Sequence, residues 1–540
     1  LIEEKLMAEM TGGQALMKSL YLEGVRVIFG LPGVQLYHAM DALYKEPGIR
    51  FITTRHEQAT GYMADGYSRA GGEGIGTALM VPGPGLQNAS AGIGTAYAAS
   101  SPMMVVCGQI ERDMIGGDRG MLHEVNDQLE SIKPVTKWAQ RVLNPTDIPE
   151  AVHEAFRQLK TGRPRPVEIE VPPETLAELA DVELREPEEP KRIQADGERV
   201  EQAAKMLTEA KNPLIWVGGG AVSSGASQAL VKVAEHLQAG VIATAEGKGA
   251  ISDKHPLALG ALWLRNDNIA KAFDHDVILA VGTRMAAPNL LGGQKIIQID
   301  VDEEELGRNY EDTFSILGDA RDTLEQLHGA LSAQSSARPD RSSEVADQRA
   351  ARADASITRE PQASLLGAVR AAMPDDGILV AGMTQVGYYS RAYFPVYEPR
   401  TFLTSSYSGN LGFAYPTALG AKVAQPDKAV VALSGDGGFL FNSQELATAV
   451  QHGINAVVVV FNDNAFGNVM RDQVNRFESR IIGSKLHNPD FVKLAEAYGA
   501  RGLKASGPEE LEATLRDVLA ANDAPTLIEV PVGPMPTPFE

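Results

Sequence analysis

The chain has 540 residues, enough for about three domains with ample core. Its 49 basic and 70 acidic residues give a net charge of −21, which argues against nucleic acid or an anionic membrane surface as a partner. No apolar run is long enough to span a bilayer, the opening LIEEKLMAEM carries acids where a secretory leader needs a basic flank, and the lone Cys107 excludes an intrachain disulfide. The expectation is a cytoplasmic protein.

Residues 1–183 read as a first α/β unit. A helix over Ala15–Glu23 and a strand over Val25–Gly30 lead to the turn Leu31-Pro32-Gly33 and to Gln35. Strand Arg50–Thr54 runs into Arg55-His56-Glu57-Gln58, and the following helix puts Ala59, Tyr62, Met63, Gly66, Tyr67 and Ala70 on one face. Glu57 stands at the head of that nearly uncharged helix. Strand Thr77–Val81 ends at Pro82-Gly83-Pro84-Gly85, a small-residue helix covers Gln87–Ala99, and Cys107 lies in an apolar strand as a core residue. Gly117-Asp-Arg-Gly-Met-Leu-His-Glu124 is a loop carrying His123, and strand Pro166–Val171 closes the unit.

Residues 190–331 read as a second, Rossmann-like unit: strand Pro213–Val217, the turn Gly218-Gly-Gly220, a helix over Ala226–Leu237, then strands Gly240–Thr244, Asp276–Val281 and Lys295–Val301. A nucleotide at the glycine turn, with Asp300 near a ribose, is one reading; no ligand, or a vestigial site, is the preferred one. The polar segment 332–360 reads as a linker, and 361–540 as the last unit. There, strand Ile378–Ala381 ends at Gly382-Met383-Thr384-Gln385, and Ser408-Gly-Asn-Leu-Gly-Phe-Ala-Tyr-Pro416 opens a helix. The apolar run Ala429–Leu433 is a buried parallel strand, followed by Gly435-Asp436-Gly437-Gly438, a helix from about Asn442 to His452, and a second apolar strand, Ala456–Phe461, ending at Asn462-Asp463-Asn464. A right-handed crossover sets the two strand ends side by side. Asp436 and Asp463 then share one rim with bare glycine N–H groups and a helix N-terminus, a site for a diphosphate held through a hard divalent cation.

The stretch Ser434–Gly467 resembles the diphosphate-binding motif of thiamine-diphosphate (ThDP) enzymes, and Arg55-His56-Glu57 resembles that family's RHE segment. The resemblance spans nearly the whole chain. It implies three doubly wound parallel-sheet domains: pyrimidine-binding, central and diphosphate-binding. It implies ThDP and Mg²⁺ as cofactors, with the metal on Asp436, Asp463 and the carbonyl of Ala465. The family usually has Asn at the Asp463 position; a shift of the ligand to Asn462 or Asn464 is the alternative. Thr384, Gln385, Gly435, Gly437, Gly438, Phe466 and Gly467 complete the expected cofactor contacts. The carbonyl at Gly409 would accept from the cofactor's 4′-amino group and Leu411 would wedge between its rings, which holds the folded shape by sterics. Glu57 would contact N1′ of the aminopyrimidine and drive the tautomer that removes the C2 proton, with burial raising its pKa. In this family the Glu57 and Asp436 positions meet across a subunit interface, which implies a homodimer or homotetramer. The central domain of such members carries FAD, ADP or nothing.

The segment Gly117–Glu124, with Pro134-Val-Thr-Lys-Trp138, resembles acetolactate synthases and benzaldehyde lyase, which usually present Gln at the His123 position. Gln35 occupies a place where benzaldehyde lyase has His. Gln35 and His123 are therefore the candidates for substrate-side proton handling. The chain departs from a true synthase at three places. Pro172 is followed by Pro173 rather than Lys, Asp472 matches the position of a specificity Trp, and Gly282-Thr-Arg-Met285 lacks the FAD-contacting pattern. The expected activity is C–C bond making or breaking on a 2-oxo acid or aldehyde. The alternatives are an acyloin or 2-hydroxyacyl lyase and, from a different class, a non-catalytic homologue.

Overall fold

A computed structural model describes residues 7–262, 275–286, 292–355 and 359–538. It has three six-stranded, all-parallel sheets and one antiparallel pair, Met7–Thr11 with Leu179–Glu183. Numbered in chain order within each sheet, the strands of the first unit (Val27–Gly30, Arg50–Thr53, Thr77–Met80, Met104–Gly108, Trp138–Arg141, Val167–Val171) are arranged 2-1-3-4-6-5. The last unit (Ile378–Ala381, Phe402–Thr404, Val430–Gly435, Val457–Asn462, Arg501–Lys504, Thr526–Pro531) repeats that order. The central unit is 3-2-1-4-5-6, the dinucleotide-fold order. Buried central strands such as Val430–Gly435 and Val457–Asn462 are continuously apolar because helices cover both faces.

The first and last units share one core. Helix Glu57–Arg69 lies against helix Ala414–Ala424, and glycines set the distance. A Cβ at Gly66 would fall 2.1 Å from the Thr417 carbonyl oxygen, and one at Gly420 2.0 Å from that of Met63. Tyr62 meets Phe413 edge-on across this seam, both buried. All three units join at Arg69, whose side chain is 10% exposed and pairs with Asp65 of its own helix, Glu246 of the central unit and the Thr404 carbonyl of the last.

Several elements differ from expectation. The edge strands Trp138–Arg141 and Thr313–Leu317 were not read, being only partly buried and not apolar. The crossover helix is shorter than expected: a turn of helix at Asp436–Phe439 comes first, and the helix proper is Glu445–His452. The segment 332–360 is more than a tether. Helix Ala320–Gln334 runs into it, and helix Ser342–Ala355 follows, with Val345 buried in the central core. Arg338 donates to the carbonyls of Leu207, Thr208 and Ala210, capping the end of helix Gly197–Glu209. Residues 356–358 lie outside the described residues.

Candidate active site

The last sheet reverses its strand order between Ile378–Ala381 and Val430–Gly435, where an open α/β sheet presents its ligand crevice. A cavity opens there, lined by Thr384, Gln385, Gly409, Leu411, Gly435, Asp436, Gly437, Gly438, Asp463, Ala465, Phe466 and Gly467. Every residue of this unit expected at the cofactor is thus at one place. Thr384 stands at the N-cap position of helix Gln385–Tyr393, and Gln385 accepts from Arg471 at 3.0 Å. Gly409 has φ 65°, the left-handed region that favours glycine, and brings Leu411 over Gly438.

The register Gly435↔Phe461 sets Asp436 beside Asp463. Asp436 is 2 % exposed, and desolvation raises its pKa. Burial first and the Asp436 charge second push Asp463 up to about 6. Two desolvated carboxylates, close enough for the charge of one to raise the other, are what a divalent cation relieves. The donors, two carboxylates and the nearby Ala465 carbonyl, are all oxygen and suit Mg²⁺ or Ca²⁺. The neighbouring asparagine side chains have partners of their own: Asn462 donates to Glu529 at 2.8 Å and accepts from Asn488 at 3.0 Å, and Asn464 Oδ1 accepts from Asn488 at 3.4 Å. Gly467 leaves room for the second acid, since a Cβ there would lie 2.4 Å from Asp463 Oδ2.

Asn488 escaped the sequence reading. Its amide N–H donates to Asp436 Oδ2 at 2.6 Å and holds Asn462. It arrives on a segment whose Ser484 carbonyl and Leu486 N–H bond to Phe466 and Asn464. No spacing signal announces it, because the contact is made by a loop beyond helix Gly467–Arg476.

The first unit gathers a second group of predicted residues. Glu57 accepts from Asn88 at 3.0 Å, and Gly85 sits beside it, 3.7 Å from a Cβ to Glu57 Oε1. His56 caps the helix through Nδ1 to the Gln58 N–H. His123, in a left-handed conformation at φ 70°, places Nδ1 3.2 Å from Gln35 Oε1, while Gln35 donates to the Leu122 carbonyl at 3.1 Å. Gly83 packs on the His123 carbonyl, so this pair and Glu57 flank one turn. Glu57 is not among the residues lining the cavity of the same chain.

In the central unit the glycine turn is packed, backbone to backbone. The Gly218 and Gly220 N–H groups donate to the Val281 and Gly282 carbonyls. Cβ atoms at Gly218 and Gly220 would lie 2.3 Å from the Gly282 oxygen and 2.7 Å from its Cα. Asp300 accepts from the Asp302 N–H, and burial pushes it up to about 6. No described helix is long and apolar enough to cross a membrane.

Residues 10–131, 200–327 and 382–530 match, in turn, the N-terminal TPP binding, central and C-terminal TPP binding domains of thiamine pyrophosphate enzymes. A probable acetolactate synthase large subunit of Methanocaldococcus jannaschii is 34% identical over 97% of this chain and 92% of its own length. A probable 2-ketoarginine decarboxylase of Pseudomonas aeruginosa is 34% identical over 96% of this chain and 94% of its own. The acetolactate synthase isozyme 3 large subunit of Escherichia coli is 34% identical over 95% and 93%.

Proposed function

This chain belongs to the thiamine-diphosphate-dependent enzymes, as a carboligase or decarboxylase of the acetolactate synthase-like branch, and from that premise we propose how its residues divide the work. Asp436, Asp463 and the Ala465 carbonyl would hold Mg²⁺, and with it the diphosphate. Thr384, Gln385 and the N–H groups of Gly435–Gly438 take the phosphate oxygens. Gly409 and Leu411 fix the ring end by a hydrogen bond and by bulk. Thiamine diphosphate supplies, when bound, the nucleophilic carbon and electron sink for breaking or forming a bond beside a carbonyl. Glu57 holds a proton against N1′ of the aminopyrimidine, and Gln35 with His123 moves protons at the substrate. Each site takes Glu57 from one protomer and the metal anchor from another, in a dimer or a pair of dimers, a reading that fits the place of Glu57 outside the cavity lining of its own chain.

The facing pair Asp436 and Asp463, in a cavity lined by the rest of the expected cofactor contacts, carries this reading. The substrate is a 2-oxo acid or an aldehyde. A panel of both, assayed with ThDP and Mg²⁺ for CO₂ and for ligated products, tests it; no turnover of any member would contradict it. Glu57→Gln should bind the cofactor and lose roughly a thousandfold in rate. Activity equal to the parent's would remove the acid's role.

One observation favours a second reading, an acyloin or 2-hydroxyacyl lyase. Benzaldehyde lyase has the His and the Gln at exchanged positions, and here the two side chains are hydrogen-bonded, so the exchange preserves the pair. Cleavage of benzoin without turnover of pyruvate would select it.

A further inference from the structure

Glu445 is fully buried at the first turn of the helix that links the two metal-holding strands. An acid there is ordinarily explained by the helix dipole. Its carboxylate, however, faces a different unit: Oε1 and Oε2 accept the Arg55 N–H at 3.1 and 3.2 Å, and Thr448 Oγ1 donates to Oε2 at 2.6 Å. Arg55 stands two residues before Glu57. We propose that Glu445 is a positioning residue that holds the Arg55 backbone and thereby sets where Glu57 stands at the head of its helix.

The position is a costly one for a carboxyl group, since burial pushes it up to about 7. An apolar side chain would fill the space at less cost, so the acid is explained by what its oxygens grip. The groups that face it are the Arg55 guanidinium, the Tyr415 phenol, the Thr448 hydroxyl and the backbone N–H groups of Arg55 and His56. Its helix, together with Asn442 just before it, holds the same segment at further points, from the strand end into helix Glu57–Arg69. Asn442 Nδ2 donates to Gln58 Oε1 at 3.1 Å, Gln451 accepts from the Arg55 guanidinium at 2.8 Å, and His452 Nε2 accepts the Thr53 N–H at 3.1 Å. Asn442 also donates to the Gly412 carbonyl, next to Leu411. One helix thus spans the metal anchor and steadies the segment that carries the acid. A shift of about 1 Å in such an acid costs on the order of a hundredfold.

The inference rests on Glu57 being the activating acid, and the test separates the two. The loaded enzyme, with ThDP and Mg²⁺, is read by deuterium exchange at the thiazolium C2 of the bound cofactor and by calorimetric ThDP affinity. Glu445→Gln keeps an oxygen acceptor at the same reach without charge. Glu445→Asp keeps the charge and withdraws it by one methylene. The expectation is exchange within about threefold of the parent for Gln, about tenfold or more slower for Asp, and affinity within about threefold for both. Equal exchange in Asp and parent, or Gln slowed as much as Asp, overturns the positioning role while Glu57→Gln still slows exchange. If Glu57→Gln exchanges at the parent rate, the activating acid itself is wrong, and the positioning role falls with it.

Discussion

Two glycine turns follow buried strands in this chain and end differently. Gly218–Gly220, at the switch point of the central sheet, is closed by backbone bonds to Val281 and Gly282. Gly435–Gly438, at the switch point of the last sheet, opens onto a cavity with Asp436 at its floor and Asp463 on the next strand end. Both turns read alike in sequence. The difference is what the neighbouring strand delivers: a backbone turn that fills the space in one unit, a second carboxylate that demands a counter-charge in the other.

Removing Asp436 should have the largest effect. Asp436→Ala should lower Mg²⁺-dependent ThDP affinity by on the order of a hundredfold or more, measured by calorimetry. Unchanged affinity would mean that the cavity does not hold the diphosphate. Asn488→Ala leaves the ligand but frees its carboxylate, and should cost roughly tenfold in the same titration.

The acids also give a pH signature. A metal ligand must be deprotonated, so Mg²⁺ affinity should rise as pH increases through about 6, where Asp463 titrates, and level off above. The stability of the metal-free protein should move the other way. Asp463 has a folded pKa above its unfolded value, so its contribution is fully present below the unfolded value and lost as pH rises through about 6. Asp463→Asn should therefore raise the metal-free melting temperature at pH 7 more than at pH 5. An equal effect at both would contradict the shift.

The smallest effect on the site is expected from the other turn. Gly220→Ala forces a Cβ against Gly282 and should cost about 1–3 kcal/mol in denaturant unfolding, with ThDP affinity unchanged. A change in affinity would mean the two turns are coupled.

Much of this was legible in the sequence, for a physical reason. Doubly covered parallel strands are continuously apolar, so the runs Val430–Gly435 and Val457–Asn462 put Asp436 and Asp463 at neighbouring strand ends. What escaped depends on contacts between distant segments. Asn488 reaches Asp436 from a separate loop, and Glu445 bonds a residue of the first unit, neither of which has a period or spacing. The edge strand Trp138–Arg141 is half-buried, and so lacks the hydrophobic run that marks its neighbours.

In the proposed enzyme, Glu57 of one protomer and Asp436 of another grip the same cofactor. Co-expression of Glu57→Gln with Asp436→Ala, each inactive alone, tests it in one assay. Mixed dimers would contain one intact site, so about a quarter of the parent activity should return if subunits assort at random. No recovery, with mixed dimers demonstrably formed, would mean that both residues serve the same site within one chain.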